Sequence, residues 1–416
     1  MLHIAIVGGG AAGFFAAIAA KEAAPDASVT IYEKAGRVLA KVAVSGGGRC
    51  NLTNSFEGVT DLRQVYPRGH RLMKRLFRVF GPDDARAWFE RQGVPLVVQA
   101  DHCIFPASQD SQSVIDALTG RARRLGVEVV TSCAMRSIAL LPDGRLEVSF
   151  SDGRVRTFHR VAVTTGGSPR IEGLRPLADL GLELEAPVPS LFTFNIADAD
   201  FRSLMGTVVE RASVSIPGTR FRASGPLLVT HWGASGPAVL RLSSHAARHL
   251  AEQGYRVAMA VNWMGEGTVA DVEAALARLL ADNHAKQLSS VHPEGLTSRV
   301  WLFLLGRAGL SADKRCGEVG RKQLNRLLET LTNDRYAVTG KGSFRDEFVT
   351  CGGVALSGVN LNTLESKNVT GLFLAGEVLD VDAVTGGFNL QAAWTTGYVA
   401  GRNMALSATD GAARKQ

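Results

Sequence analysis

The chain has 416 residues, 46% of them apolar, with a formal net charge of +7 and an isoelectric point near 9.3. That length supplies the cores of two or three domain-sized units, and the mild basicity permits an anionic ligand without requiring nucleic acid. Apolar runs never reach the ~20 uncharged residues that span a bilayer, and the first strand starts at once with no leader ahead of it, so a cytoplasmic chain without membrane attachment is expected.

Leu2 to Gly13, LHIAIVGGGAAG, reads as strand, phosphate turn and helix. Gly8, Gly10 and Gly13 stand in the GxGxxG spacing of a dinucleotide-binding turn. The first glycine allows the tight reversal, the second lets backbone approach a pyrophosphate, and the third lets the helix pack on the strand. Ala11 and Ala12 open that helix, which runs to about Lys21 and points free N–H groups and the positive dipole end at the phosphates. A second strand, Ser28 to Tyr32, ends at Glu33 and Lys34. Glu33 is placed to accept hydrogen bonds from a ribose diol, and its charge repels a 2′-phosphate, so FAD or NAD fits better than NADP.

Residues Ala35 to Asn54 are rich in glycine and small side chains and carry no helical or strand period. They predict a binding loop in which Ser45, Gly46, Gly47 and Gly48 offer successive N–H groups, with Lys41 and Arg49 adding positive charge. Arg63 to Phe80 predicts a basic amphipathic helix, with Arg71, Lys74, Arg75 and Arg78 opposite Leu72, Leu76, Phe77 and Phe80. A solvated face is the favoured reading of those charges over an RNA or membrane patch. Helices follow at Pro82 to Gln92, with Pro82, Asp83 and Asp84 in its first turn, and at Ser111 to Leu125, closed by Gly126. Val127 to Thr131 is a strand. Ser137 to Leu141, Arg145 to Phe150 and Val155 to Thr165 form a β-meander joined by Asp-Gly turns. It ends in Thr164, Thr165, Gly166 and Gly167, where small residues allow close approach to a nucleotide.

Composition shifts near Pro187 and Pro189. Short strands from about 190 to 263 predict an inserted β domain over 189–266, and helical periodicity from 268 predicts a helical insertion over 267–335. Within the β insertion, HWGASGPAVLRLSS is a glycine turn opening a helix, and His231 and Trp232 there read more readily as structural than as ligand-facing. The opening style then returns, so that 1–188 and 336–416 together make one discontinuous domain. Leu372 to Ala375 is a buried strand with Gly376 and Glu377 at its carboxyl end, where open α/β sheets bind ligands. Gly386 and Gly387 bring backbone near a ring, and a helix from Asn389 to Arg402 offers its N-terminus. A helix N-terminus there stabilises the negative charge that a reduced flavin gathers around N1 and O2, which separates flavin from nicotinamide. No second GxGxxG occurs, so any NAD(P)H is expected to dock transiently at the flavin. Five scattered cysteines without a CxxC pair argue against a disulfide framework, a dithiol centre or a metal site.

With these motifs assembled, the chain resembles the BaiN/YhiN-like FAD-dependent oxidoreductases, also labelled aminoacetone oxidase-like. The residues that carry the resemblance are VGGGAAG at 7–13, SGGGRCNLTN at 45–54, THWGASGPAVL at 230–240 and AGEVLDVDAVTGGFNLQAAWTTGYVAG at 375–401. The resemblance implies an α/β fold: a glutathione-reductase-type Rossmann FAD-binding domain split by a β-barrel-like unit and a helical unit. It implies that Gly8, Gly10, Gly13 and Glu33 hold the ADP half, that Ser45 to Gly47 and Asn51 lie along the phosphates and flavin, and that Glu377, Gly387, Asn389 and Leu390 hold the ribityl chain and ring. Ala134, after the strand at Val127, meets adenine through its backbone. Lys34, Lys41, Thr165, Gly166, Gly376 and Gly386 complete the expected cofactor set. The function expected is an FAD-dependent oxidoreductase acting on a small molecule, and no side chain stands out as its acid or base. The alternatives are a flavoprotein acting on RNA and a non-catalytic flavin- or NAD-binding module.

Overall fold

The structure, a computed structural model, describes residues 1–342 and 349–413, with side chains through residue 406. The chain forms two compact units, Met1–Val188 with Val349–Gln416 and, separately, Pro189–Phe348.

At the centre of the first unit is a five-stranded parallel sheet in the order Leu372–Leu374, Arg160–Val163, His3–Val7, Ser28–Tyr32, Glu128–Val130. The inner strands are continuous apolar runs because helices and loops cover both faces, as parallel sheets require. Helix Ala11–Ala23 is buried from Ala12 through Ala20, and helix Phe388–Ala413 packs along it. Glycine permits that packing. A Cβ at Gly397 would lie 2.4 Å from the Ala12 carbonyl, and one at Gly401 would lie 2.1 Å from that of Ala16. The two helices therefore meet backbone to backbone, which joins the first and last helices of the chain. On another side, a meander of Met135–Leu140, Leu146–Phe150 and Val155–Phe158 lays Phe150 on Tyr32, ring centroids 4.3 Å apart.

Three segments differ from their sequence patterns. Val155 to Thr165 is two strands, because the chain breaks at His159. There the His159 N–H bonds the His3 carbonyl at 3.0 Å, and Arg160–Val163 leaves the meander for the parallel sheet. Arg63 to Phe80 is not one helix. Pro67 and the left-handed Gly69 (φ 77°) interrupt it, leaving a 3₁₀ turn at Leu62–Gln64 and a helix at His70–Leu76. The loop 35–54 contains a short helix, Ala40–Val44, and a two-residue strand, Thr53–Asn54.

The second unit is a closed six-stranded barrel, Phe194–Ile196, Gly233–Ser235, Arg222–Val229, Val208–Ser215, Val257–Asn262 and Asp334–Lys341, the last strand pairing with the first. The helices Val269–Asp282, Ser298–Arg307 and Arg321–Thr332 share one apolar core with it. The expected return to the dinucleotide-binding domain at 336 falls inside the sixth strand. From Asp334 to Thr339 side chains alternate buried and exposed, a period-2 signal that the preceding helical period masked. The glycine turn near His231 is the strand Gly233–Ser235, where a Cβ on Gly233 (φ 148°) would sit 2.3 Å from the Phe194 carbonyl. His231 is exposed, and Trp232 donates to Thr193 Oγ1 at 3.2 Å. That motif forms the barrel strand between Phe194–Ile196 and Arg222–Val229.

Candidate active site

Four neighbouring parallel strands of the first unit end at predicted ligand residues: His3–Val7 at Gly8, Ser28–Tyr32 at Glu33, Arg160–Val163 at Thr164 and Thr165, and Leu372–Leu374 at Gly376 and Glu377. The carboxyl edge of the sheet thus gathers them, the place where open α/β sheets hold ligands.

The glycines of the first turn divide by what surrounds them. At Gly8 (φ 113°) a Cβ would lie 2.5 Å from the Thr164 carbonyl, and at Gly13 it would lie 2.0 Å from the Gly8 carbonyl. Both are demanded by the fold. At Gly10 no atom lies within 4 Å of where a Cβ would be, and no side chain caps the helix that begins at Ala11. An uncapped helix N-terminus beside open space is a cradle for an anion. Thr164 fixes the neighbouring strand end by donating to the carbonyls of Val7 (3.1 Å) and Gly8 (2.9 Å). Glu33 is half-buried and accepts from the N–H groups of Gly9 (2.7 Å) and Ala35 (2.8 Å). Those bonds hold its carboxylate beside the turn. Lys34 is exposed.

In the glycine loop, Ser45 closes the helix Ala40–Val44, its Oγ donating to the Val42 carbonyl at 2.9 Å. The N–H groups of Ser45 and Gly48 turn back onto that helix, at 3.1 Å to Lys41 and 3.2 Å to Ser45, so the expected cradle narrows to Gly46 and Gly47. Both have left-handed backbone, and open space surrounds Gly47, whereas Gly46 is wedged against Phe105 and Asn51. Cys50 is fully buried, and that burial pushes its thiol up to about 12 against a weak opposing bond from Ser45. It is a packed thiol, not a nucleophile.

The C-terminal ligand residues reach the same neighbourhood. Glu377 accepts from Lys41 Nζ at 2.7 Å and from the Thr350 N–H at 2.8 Å. Gly167 leaves no room for a side chain, since a Cβ would come within 2.8 Å of the Glu377 carboxyl carbon. Gly376 donates to Thr396 Oγ1 at 2.9 Å and backs onto Ala12, so its role is to bring the two helices' ends together. Rotated so that its oxygen faces the Gly387 N–H, the Asn51 amide accepts there at 3.2 Å and donates to the Thr53 carbonyl at 3.2 Å. Asn54 donates to the Gly386 carbonyl at 3.0 Å. Asn389 bridges both backbone groups of Ala383 at 2.9 Å, and Leu390 packs against the core in the first turn of the helix.

Ala134 follows Cys133, whose N–H donates to the Glu33 carbonyl at 2.8 Å. The Ala134 N–H donates to Ser151 Oγ at 3.0 Å, and its carbonyl accepts from the Ser151 N–H at 2.8 Å. One pair escaped the sequence patterns. Arg68 and Asp382, 11% and 1% exposed, form a two-pronged ion pair, with Asp382 four residues ahead of Gly386 in the chain. Two acidic residues, Asp380 and Asp382, inside the otherwise apolar run Val378 to Val384 were the only local sign of it.

A glycine turn without a cap, an acidic residue at the second strand end and a late Gly-Gly turn opening a helix define a class, the Rossmann-type flavin-dependent oxidoreductases. The chain belongs to the family described as HI0933-like protein Rossmann domain, whose model matches residues 2–403. It is 28% identical to the 3-dehydro-bile acid delta(4,6)-reductase of Clostridium scindens, over 97% of this chain and 98% of the relative. It is 27% identical to the ribosomal RNA dihydrouridine synthase of Escherichia coli, over 96% and 97% of the two chains. Among solved structures, the 3-ketosteroid delta1-dehydrogenase from Sterolibacterium denitrificans is similar at a TM-score of 0.49 and 13% identity, covering 98% of this chain and 100% of that one. Among the described residues no helix is long and apolar enough to cross a membrane, and no cluster of side chains could hold a metal ion.

Proposed function

We propose that the chain binds FAD in an extended form and reduces a carbon–carbon double bond conjugated to a carbonyl in a small cyclic substrate. The observation that carries the cofactor reading is that the two helices opened by the Gly10 turn and by the Gly386–Gly387 turn, Ala11–Ala23 and Phe388–Ala413, pack backbone to backbone at Gly397 and Gly401. In this reading the helix at Ala11 and the N–H groups of Gly46 and Gly47 take the pyrophosphate. Glu33 takes the adenosine ribose, Lys41 and Glu377 flank the ribityl chain, and the N-terminus of the helix at Phe388 faces the pyrimidine edge of the ring. FAD, when bound there, supplies two-electron redox chemistry. The chain's own contribution is orientation, together with positive helix-dipole potential where negative charge would develop.

The substrate class follows from what two relatives are named for. A 3-dehydro-bile acid delta(4,6)-reductase and a dihydrouridine synthase both name the saturation of a ring double bond, and each such bond is conjugated to a carbonyl. The net reaction consumes the enone, one NAD(P)H and one proton, and yields the saturated ketone and NAD(P)⁺. NAD(P)H docks transiently, since the sequence holds no second dinucleotide turn.

An absorbance spectrum followed by anaerobic titration tests this. Purified protein should show flavin bands, bleach on adding NADH or NADPH, and recover colour on adding a cyclic enone. Bands that do not bleach with either donor, or that return with air alone and never with an enone, overturn the reductase reading.

A second reading, in which the double bond is that of a uracil within RNA, is favoured by the exposed Arg71, Lys74, Arg75 and Arg78 and by the E. coli relative's name. Changing Arg71, Lys74 and Arg75 to Glu should then weaken RNA binding and flatten its salt dependence while leaving enone turnover intact. RNA binding that is undetectable in the unaltered protein removes this reading.

A further inference from the structure

We propose that the buried Arg68–Asp382 pair is a positioning device for the redox end of the site, fixing the turn at Gly386–Gly387 without touching the cofactor. The proposal rests on the FAD reading above. The segment from Val381 to Phe388 is fastened to the segment from Val65 to Gly69 at successive points. The Val384 N–H bonds the Val65 carbonyl at 2.9 Å, and Arg68 and Asp382 pair through backbone as well as side chain. Gly69 lies so close to Val381 that a Cβ would come within 2.6 Å of it. Tyr66 then holds the first residue of the helix, donating to the Phe388 carbonyl at 2.8 Å. Asn389 and Asn54 grip the same bend from inside, through Ala383 and Gly386. In this lattice of contacts the ion pair is the one member whose two partners are both charged and buried. A buried pair is a poor source of net stability, because desolvation offsets the attraction, but it is strict about geometry. Its placement in the segment that leads into a turn whose backbone must meet a ring gives that strictness a use.

The test separates the two ends of the site. ADP alone engages the Gly8–Glu33 end, whereas FAD engages both. Full-length Asp382→Asn, and Arg68→Met combined with Asp382→Leu, which avoids stranding a buried charge, are purified and their affinities for ADP and FAD measured, along with the potential of any bound flavin. Both variants should bind ADP like the unaltered protein. FAD should bind at least about tenfold more weakly, the scale on which a group that only orients a ligand-holding group acts, with a shifted flavin potential. A folded double variant with unchanged FAD affinity and potential overturns the proposal. So does one that loses ADP and FAD equally, since the pair would then support the unit as a whole. Unaltered protein that binds ADP but no FAD overturns the cofactor reading itself, and the proposal with it.

Discussion

Asp334 and Asp382 are both buried aspartates paired with an arginine, yet they sit in very different company. Asp334, 5% exposed, accepts from Arg307 Nε (2.9 Å) and Nη2 (2.7 Å), from Trp263 Nε1 (3.1 Å) and from the Tyr336 hydroxyl. Its donors come from the helix Ser298–Arg307, from the residue after the strand Val257–Asn262 and from its own strand. This carboxylate welds barrel to helices inside a finished core. Asp382 instead joins two loop segments, 65–69 and 381–388, the second of which leads into the Gly386–Gly387 turn. Buried charge in the insert unit serves cohesion, and buried charge in the dinucleotide unit serves shape at an open edge. Fold and ligand geometry should therefore fail separately.

The largest effect is expected at Asp334. Its change to Ala leaves an indole N–H and a phenol without their acceptor and the Arg307 guanidinium with only the longer contacts to Asp198 and the Arg335 carbonyl (3.5 Å each), at a combined cost of about 3–5 kcal/mol. Urea unfolding should show the loss in the insert's transition while ADP binding by the other unit persists. A single unshifted transition would mean that Asp334 is not the weld.

Next comes Gly401→Val, which attacks the dinucleotide unit through packing instead of charge. With a Cβ only 2.1 Å from the Ala16 carbonyl, the helices must separate, at about 1–3 kcal/mol. Flavin retention should fall along with stability, because the separation pulls apart the two ends of the site. Weakened stability with undiminished flavin would show that the ends are held by something other than this helix pair.

These contrasts also explain what could be foreseen from the chain. Gly8, Gly10, Gly13 and Glu33 were legible because a strand, a turn and a helix fix their spacing locally. The late Gly-Gly turn was legible for the same reason. Barrel closure was not, since it depends on Ile196 meeting Val338, and a helical stretch separates the two in sequence. Nor was the Arg68–Asp382 pair, whose members are 314 residues apart. The split at His159 was hidden because both halves of Val155 to Thr165 are good strands, and only the sheet each joins tells them apart. The exposed cationic face survives the interruption of its helix, because Arg71, Lys74 and Arg75 still share the turns from His70 to Leu76.

Glu33→Ala sharpens the comparison from the ligand side. The two N–H groups it accepts from belong to Gly9, which is buried, and to Ala35, which is half-buried, so the fold should lose about 1–3 kcal/mol through the stranded Gly9 N–H. Affinity for ADP and FAD should fall by about 1–3 kcal/mol through lost ribose bonds. Isothermal titration with each ligand measures this, and equal affinities in both proteins would remove Glu33 from the site.

The smallest effect concerns the pH dependence of the dinucleotide unit. Burial, then the nearby Arg71 and Arg63, lowers the pKa of His70, whose Nδ1 is buried without a partner. Burial, then His3, Arg145 and Arg160, lowers that of His159, whose ring stacks on His3. Both histidines bind a proton less readily when folded. Their contribution is present above the ordinary histidine value of about 6.5 and is lost as pH falls through the lowered folded values. Carboxylates titrate below that window, so between pH 7 and pH 5 the slope of the unit's urea midpoint should come from these two rings. Replacing both with Gln should flatten it. A slope that survives the double replacement would assign the proton uptake elsewhere.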